Sequence, residues 1–217
     1  MTIDRAGYPF IGGTAVLAAA AAVTVGSLGA VPLLFLAFFF LYFFRDPDRV
    51  SPQDANLVLS PADGRVLVAG PADPKAAPPG EWKQISIFLS PTDVHVNRSP
   101  VSGRVTKVDF RKGRFLPAYH KDAAATNERS EVWVDHGGLP VVFRQIVGIL
   151  ARRVVCRVQP GKELKAGERF GIMKFGSRMD VFLPPRAEIL IQAGQQVVAG
   201  ETVLARLLPA SAAGSVA

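Results

Sequence analysis

The dipeptide Gly176-Ser177 has the residue types that a chain needs to cut its own backbone. A serine hydroxyl can attack the carbonyl carbon of the preceding residue when the backbone is bent, and glycine has no Cβ to resist that bend. The resulting ester can eliminate the upstream chain and leave dehydroalanine at position 177. Hydrolysis then releases ammonia and leaves a pyruvoyl group, a carbonyl cofactor made from the chain's own serine.

The same dipeptide occurs at Gly26-Ser27 and at Gly214-Ser215. The first copy lies in an apolar segment and the second in a tail rich in Ala and Ser, and neither has titratable residues close by in sequence. Taken alone, a Gly-Ser pair is also typical of a turn between two strands. The functional interpretation of Ser177 therefore depends on the residues that could support its chemistry.

Side chains suited to that support occur in two further motifs, Ser60-Pro61-Ala62-Asp63-Gly64 and the segment from Ser90 to Pro100, which contains His95 and Arg98. A carboxylate or an imidazole within hydrogen-bond reach of Ser177 could activate its hydroxyl. His95 also suits proton delivery near neutral pH. Each has a structural interpretation too, because Asp63-Gly64 is a common turn pair and His95 alternates with valines as a core histidine would.

The order of these motifs, with Asn127-Glu128-Arg129 lying before Phe175-Gly176-Ser177, resembles the phosphatidylserine decarboxylases. The compact length and the apolar N-terminus resemble the short bacterial and archaeal form of that family. The resemblance covers the chain from Arg45 to about Leu208. It implies an enzyme made as a proenzyme, which decarboxylates phosphatidylserine to phosphatidylethanolamine in phospholipid biosynthesis.

The resemblance also implies roles for individual residues. Ser177 would become the pyruvoyl group, and cleavage after Gly176 would give a β chain of residues 1–176 and an α chain of residues 177–217. Asp63 and His95 would be catalytic. The pyruvoyl carbonyl would capture the amine of the lipid headgroup and act as an electron sink while carbon dioxide leaves.

Arg98 stands where longer members of the family have a second histidine. Arginine cannot accept a proton at neutral pH, so the usual Asp-His-Ser relay for self-cleavage cannot be transferred unchanged. Three alternatives stay open: His95 performs both tasks, Asp63 acts directly on the hydroxyl, or His120 or His136 supplies the base. Arg98 is instead a candidate for substrate binding, because a guanidinium binds phosphodiesters and carboxylates bidentately.

The elements that position these residues begin with an apolar segment. Residues from Ala6 to Phe44 include no Asp, Glu, Lys, Arg or His. One straight helix of that length would span about 58 Å, nearly twice the ~30 Å hydrocarbon core of a bilayer. Helix breakers between Gly26 and Pro32 therefore predict a membrane-associated helical hairpin over residues 1–44. A cleaved signal peptide is the alternative, but the apolar stretch greatly exceeds a signal core.

We expect residues 45–217 to form the decarboxylase domain, which consists of short β segments separated by Gly and Pro. The sequence favours an all-β, barrel-sandwich-like domain. Two internal echoes support this fold class: Val158–Gly171 resembles Ile191–Leu204, and Ser60–Val66 resembles Ser99–Val105. Repeated strand-turn units of this kind predict pseudo-symmetry.

The charge of the chain limits the classes of partner that it is expected to bind. The formal net charge of +7 favours anionic ligands, and basic residues cluster at Arg104, Lys107, Arg111, Lys112 and Arg114 and again at Arg144, Arg152, Arg153 and Arg157. Beside a membrane segment flanked by Arg5 and Arg45, these clusters indicate an anionic membrane surface at the cytoplasmic face of the cell membrane. No nucleic-acid-binding motif accompanies the charge, and one cysteine with three histidines predicts no metal site.

The candidate partners are thus phosphatidylserine, an anionic membrane, the α and β chains of one precursor, and a second copy of the chain. Two other functions remain as alternatives. One is a membrane-tethered β-sandwich adaptor that binds a lipid or a protein without catalysis. The other is a pyruvoyl enzyme for a soluble amine, which the apolar hairpin disfavours because a soluble substrate does not require an enzyme at the interface.

Overall fold

A computed structural model describes residues 1–149, 154–174 and 176–208 of the chain. Within these ranges an N-terminal helical hairpin precedes an all-β domain, as the sequence predicts. Arg152, Arg153, Phe175 and the Gly214-Ser215 dipeptide lie outside the described residues.

The hairpin consists of α1 (Tyr8–Thr24), which follows a 3-10 turn at Arg5–Gly7, and α2 (Ser27–Phe43). The two helices pack against each other, and small residues are buried between them, as is typical of closely packed apolar helices: Thr14, Ala18, Ala30 and Ala37. The remaining surface of the hairpin is apolar and largely exposed. The segment Arg5–Thr24 is long and apolar enough to cross a membrane, with only 17% of its apolar window buried.

The chain reverses at Gly26, which has a φ of 97°. The sequence placed the break across the whole interval from Gly26 to Pro32, but Ser27 to Pro32 belong to α2. Pro32 lacks one backbone donor, and the helix continues through it because the surrounding turns supply the other hydrogen bonds.

Short contacts attach the base of the hairpin to the domain. Thr2 and Ile3 pair antiparallel with Asp46 and Arg45, so the two ends of the hairpin lie side by side. The Asp4 carboxylate accepts two hydrogen bonds from the Arg157 guanidinium, at 2.6 and 2.7 Å. This bidentate pair lowers the pKa of the Asp4 carboxyl against the opposing effect of burial.

The strands are β1 (Thr2–Ile3), β2 (Arg45–Asp46), β3 (Leu57–Leu59), β4 (Gly64–Pro71), β5 (Lys83–Leu89), β6 (Val96–Arg98), β7 (Gly103–Arg111), β8 (Arg129–His136), β9 (Leu139–Val147), β10 (Val154–Cys156), β11 (Glu163–Leu164), β12 (Arg169–Met173), β13 (Ser177–Leu183), β14 (Glu188–Ile189), β15 (Gln196–Val197) and β16 (Val203–Arg206). One short helix, α3 (Ala123–Thr126), lies in the loop between β7 and β8.

Eight strands form an antiparallel sheet that curls into a half-barrel, in the order β11-β7-β8-β9-β13-β5-β4-β15. Two three-stranded sheets, β10-β12-β6 and β14-β16-β3, close the domain. The core lies inside the half-barrel, where alternate residues such as Met179, Val181 and Leu183 of β13 are fully buried. Because β13 is the central strand, its first residue is surrounded by structure on both sides.

The internal echoes of the sequence correspond to equivalent hydrogen bonds. The hydroxyls of Ser60 and Ser99 donate to the carbonyl two residues ahead, at 2.6 and 2.7 Å. Strand β15 pairs with the start of β4, and β11 pairs with the start of β7 in the same way. The predicted pseudo-symmetry is therefore present in the domain.

Candidate active site

The Gly176–Ser177 peptide lies where a bend enters the central strand. Gly176 has a φ of 69°, in the left-handed region that favours glycine. Ser177 is the first residue of β13 and pairs with Leu89 on one side and Val147 on the other. Its side chain is fully buried, and its Oγ has no hydrogen-bond partner among the described residues. A buried hydroxyl without a partner is costly and is expected where a chain keeps a reactive group.

Gly148 approaches the carbonyl of the same peptide. A Cβ built on Gly148 would lie 2.3 Å from the Gly176 carbonyl oxygen and 3.3 Å from the Cβ of Ala118. Only glycine leaves room for this carbonyl. The sequence did not single out Gly148, because its role depends on a neighbour brought close by the β9–β13 pairing.

Asn127 fastens the loop that carries Ala118 to the same region. Its amide Nδ2 donates to the carbonyls of Leu116 and Val147, both at 2.8 Å, and its Oδ1 accepts from the Leu116 backbone at 3.0 Å. Val147 is the β9 partner of Ser177. The fully buried Asn127 therefore connects the segment around Leu116 to the β9 residue that pairs with Ser177.

His95 lies beside Gly176. Its Nδ1 is 2.9 Å from the carbonyl oxygen of Asp93, which can only accept, so Nδ1 holds the proton. Nε2 faces the backbone N–H of Gly176 in a long hydrogen bond of 3.4 Å. Burial is the main cause that lowers the pKa of His95 to about 4, with Arg45 adding to the effect. At neutral pH the imidazole is therefore uncharged and Nε2 can accept a proton.

The end of the hairpin covers this histidine. The ring of Phe43, the last residue of α2, lies 4.2 Å from the imidazole between ring centroids, at an angle of 34°. Phe43 and Phe44 pack in a cluster with Val94 and Val96, which flank His95. The Arg45 guanidinium also donates to the Thr92 carbonyl at 2.8 Å. The segment that contains His95 is thus in direct contact with the apolar hairpin.

Asp63 is held in a different set of contacts. Its Oδ1 accepts from the Ala199 backbone at 2.7 Å, and its Oδ2 pairs with the Arg49 guanidinium at 2.9 Å. Its charge contributes to raising the pKa of Asp93, although burial is the larger cause. Asp63 therefore lies close enough to the Asp93 loop to act on it electrostatically, while its direct contacts are with Arg49 and Ala199.

Arg98 contacts the linker that follows the hairpin. Its guanidinium donates to the Asp46 carboxylate at 3.1 Å, to the Pro47 carbonyl at 2.9 Å and to the Gly167 carbonyl at 3.1 Å. The side chain is nearly fully buried, and desolvation lowers its pKa. In this structure the Arg98 guanidinium donates hydrogen bonds to protein groups, whereas the sequence suggested it as a group that binds the substrate.

The other two histidines have separate neighbours. His136 ends β8 and its Nδ1 lies 2.6 Å from the Ser102 carbonyl oxygen. It pairs with the first residue of β9, whereas Ser177 pairs with the last, so a full strand of about 27 Å separates the two ends. His120 is exposed and its Nδ1 accepts from the Asp122 backbone at 3.2 Å. His95 is thus the histidine that the fold brings to Gly176.

The site combines a bent Gly-Ser peptide, a buried hydroxyl and a neutral histidine, an arrangement that suits attack of the hydroxyl on the preceding carbonyl. Among the described residues, no group of His, Cys, Asp or Glu side chains is arranged to bind a metal ion. Sequence reasoning missed Gly148 and Phe43. Phe43 lies two residues before Arg45 at the end of the apolar segment, and this position was the available signal for an aromatic side chain at the site.

The half-barrel β domain and the bent Gly176–Ser177 junction with its buried hydroxyl are features that suit an enzyme made as a proenzyme. The chain belongs to the phosphatidylserine decarboxylase family, whose profile matches residues 36–205. A phosphatidylserine decarboxylase proenzyme of Pelodictyon phaeoclathratiforme is 48% identical over 169 residues, which cover 77% of this chain and 79% of the relative.

Two further relatives carry the same name over more of the chain. The proenzyme of Solibacter usitatus is 45% identical and covers 89% of this chain and 92% of its own length. That of Symbiobacterium thermophilum is 44% identical, with 94% and 95% covered. The family that the sequence motifs resemble is therefore confirmed.

Proposed function

We propose that this chain decarboxylates phosphatidylserine to phosphatidylethanolamine, using a pyruvoyl group that it makes from its own Ser177. The proposal depends above all on the buried, unpartnered Ser177 hydroxyl, which follows a left-handed Gly176 and lies in the same site as His95. The family membership supports an enzyme made as a proenzyme and acting on a phospholipid. No observation here favours the non-catalytic adaptor.

Self-cleavage begins when Ser177 Oγ attacks the Gly176 carbonyl carbon and the Ser177 nitrogen leaves it, which converts the amide into an ester and frees an amine. A base then removes the Ser177 Cα proton, and the Gly176 carboxylate leaves with the ester oxygen. Water replaces the nitrogen of the resulting dehydroalanine, and ammonia departs. One water molecule is consumed overall, and the products are a β chain ending in a carboxylate and an α chain beginning with pyruvoyl.

His95 is the base that the geometry favours for these steps. Its Nε2 is unprotonated and lies at Gly176, and its Nδ1 is fixed by the Asp93 carbonyl. The Asp93 carbonyl, which accepts from Nδ1, raises the pKa of His95 against the larger effect of burial and so stabilises the imidazole when it accepts a proton. Arg98 pairs with Asp46 in the linker that follows the hairpin. We assign to this ion pair a positioning role, because it helps to hold Phe43 against His95.

The residues present fit a pyruvoyl group, because its precursor hydroxyl is buried without a partner beside a histidine. When formed, this group supplies an electron sink for decarboxylation of the bound amine. The chain's own residues then exclude water through Phe43 and the core around Leu89 and Val147. His95 Nε2 is placed to hold and return the proton that the substrate Cα requires.

The apolar hairpin supports a membrane location for this chemistry. Its outer surface exposes large apolar side chains, including Leu17, Leu28, Phe35 and Phe38. Arg5 and Arg45 bracket the apolar segment, and the β1–β2 pairing holds both of its ends together. We therefore place the domain at the cytoplasmic face of the cell membrane, where phosphatidylserine also supplies an anionic surface. A homodimer stays a prediction.

The test is the intact mass of the purified protein and of Ser177→Ala. We expect the wild type to give two polypeptides that separate after Gly176, with an α chain whose mass rises by two hydrogens on borohydride reduction. Ser177→Ala should remain one chain and release no carbon dioxide from phosphatidylserine vesicles. Ser27→Ala is the matched control, because it alters the other described Gly-Ser pair and should be processed normally.

Active, unbroken wild-type chain without a reducible carbonyl would refute the proposal. Carbon dioxide released from free serine but not from phosphatidylserine vesicles would favour the soluble-amine alternative instead.

A further inference from the structure

A cavity lies on the face of the sheet opposite the Ser177 side chain. Side chains alternate along β13, so Arg178 and Asp180 point away from the face that holds Ser177. Arg144 lies opposite Asp180 in β9, and the neighbouring β8 contributes Arg129 and Glu131 to the same surface. The cavity on this surface has a volume of about 520 Å³ and is separate from the site described above.

The cavity is roofed by the loop from Pro74 to Gly80. Ala76 of this loop is buried against Ala124 and Ile146, and the Trp82 indole donates to the Pro79 carbonyl at 3.1 Å. Trp82 also packs edge-on against Trp133, with ring centroids 5.9 Å apart. The roof is therefore attached at both ends, and the space beneath it belongs to the fold.

The lining is strongly basic: it includes Lys75, Arg111, Arg129 and Arg144, with Glu131 as its one carboxylate among the described lining residues. Glu131 is already occupied, because it pairs with Arg144 and accepts from the Trp133 indole at 2.6 Å. Beside the cavity, Asp109 lies 3.4 Å from the Arg111 guanidinium, which is largely exposed. Positive charge thus exceeds negative charge around the space.

Arg129 carries the second observation. Its Nε is buried and has no hydrogen-bond partner among the described residues, although Nη1 donates to the Ala125 carbonyl at 2.9 Å. Burial is the main cause that lowers its pKa, and the nearby charges of Arg144 and Arg111 add to this. A buried donor without a partner among the described residues, with like charges close by, favours binding of an acceptor that carries negative charge.

We propose that this cavity binds a phosphate-bearing anion through Arg129, Arg111 and Lys75. Guanidinium groups bind phosphate oxygens through paired, charge-assisted hydrogen bonds, and a phosphate here would satisfy the Arg129 Nε while separating the like charges. The volume also accommodates a glycerophosphate headgroup. The source is either free phosphate or an anionic phospholipid, and the chemistry recognised is the same.

The experiment uses the full-length processed protein in detergent. Thermal unfolding is followed while inorganic phosphate replaces sodium chloride at constant ionic strength. We expect a saturable rise in Tm that chloride does not produce. Arg129→Gln should weaken the apparent phosphate affinity about tenfold, the effect of losing one charge-assisted hydrogen bond.

Arg111→Gln tests the same cavity with an exposed side chain, so its effect does not depend on whether Arg129→Gln folds. Arg104→Gln is the matched control, because Arg104 lies on the same strand β7, is exposed and does not line the cavity. Arg104→Gln should bind phosphate as the wild type does.

A second arm compares binding to phosphatidylglycerol and phosphatidylcholine vesicles. A loss of the phosphatidylglycerol preference in Arg111→Gln, but not in Arg104→Gln, assigns a lipid headgroup as the source. A phosphate effect in solution without that loss assigns free phosphate. If both arms are insensitive to Arg129→Gln and Arg111→Gln, or if phosphate acts no differently from chloride, the proposal is overturned.

Discussion

At the scale of single residues, two glycines define the bond that we propose is cut, and they do so for different reasons. Gly176 adopts a positive φ in open space, since no atom of the described residues, its chain neighbours apart, lies within 4 Å of the Cβ it lacks. Gly148 has ordinary backbone angles but lies against the Gly176 carbonyl. The first glycine permits the bend, and the second leaves room for the carbonyl that Ser177 attacks.

Gly148→Ala should slow self-cleavage about a hundredfold, because the new methyl group would displace the Gly176 carbonyl by an ångström or more. The measurement is a time course of proenzyme and cleaved chains after cell-free synthesis. Hydroxylamine, which cleaves the ester, should release less product from the variant. Gly70→Ala is the control, because Gly70 has no atom near its missing Cβ. Normal cleavage in a folded Gly148→Ala variant would contradict this role.

At the scale of elements, helix α2 and strand β6 meet at the histidine. The hairpin contributes to the site itself, because Phe43 lies over the His95 imidazole and Phe44 packs beside it. This cover removes water from His95 and so favours its neutral form. The folded pKa of about 4 lies below the ordinary value of 6.5. The associated stability is therefore complete above pH 6.5 and is lost as the pH falls toward 4.

Phe43→Ala should raise the pKa of His95 toward 6.5, because water would reach the imidazole. Wild-type self-cleavage should stay constant from pH 8 to about pH 5 and fall near pH 4. The Phe43→Ala profile should fall near pH 6 instead. Phe38→Ala, an exposed residue of the same helix, is the control and should leave the profile unchanged. Identical pH midpoints of self-cleavage in all three proteins would exclude the Phe43 ring as the cause of the lowered His95 pKa.

At the scale of the whole molecule, comparison of the two pseudo-symmetric repeats distinguishes the structural role of Asp63 from the role of its charge. Asp63 and Ser102 occupy equivalent places in the two repeats. Asp63 accepts from the Ala199 backbone at 2.7 Å, and Ser102 Oγ accepts from the equivalent Ala166 backbone at 2.9 Å. In the second repeat, a serine is thus sufficient to accept this backbone hydrogen bond. The additional group at Asp63 is a charge, directed to Arg49.

Asp63→Ser should keep the backbone hydrogen bond and lower the free energy of unfolding by less than about 1 kcal/mol, whereas Asp63→Ala should lower it by about 1–3 kcal/mol. Both variants should slow self-cleavage if the Asp63 charge supports the site through Asp93, on which it acts electrostatically. Urea unfolding and the cleavage time course measure the two effects separately. Full-rate cleavage in Asp63→Ser would assign Asp63 a purely structural role.

The amino-acid sequence alone was sufficient to predict the family, the all-β class, the hairpin and several strands, including Leu57–Leu59 and the segment around Gln84–Leu89. These depend on local patterns: alternating apolar residues, turn residues and a long uncharged segment. Motif order was sufficient to select Ser177 and His95 as candidates. The helix break was less well predicted, because the tolerance of α2 for Pro32 depends on its surroundings.

Contacts between groups that are distant in sequence became visible only in the folded chain. The approach of Gly148 to Gly176 follows from the pairing of β9 with β13, and the cover of His95 by Phe43 follows from docking of the hairpin. Arg98 is a binding candidate by residue type, yet its partners are set by where the chain brings Asp46 and Pro47. Residue type limits what a side chain can bind, whereas contacts between distant segments determine what it does bind.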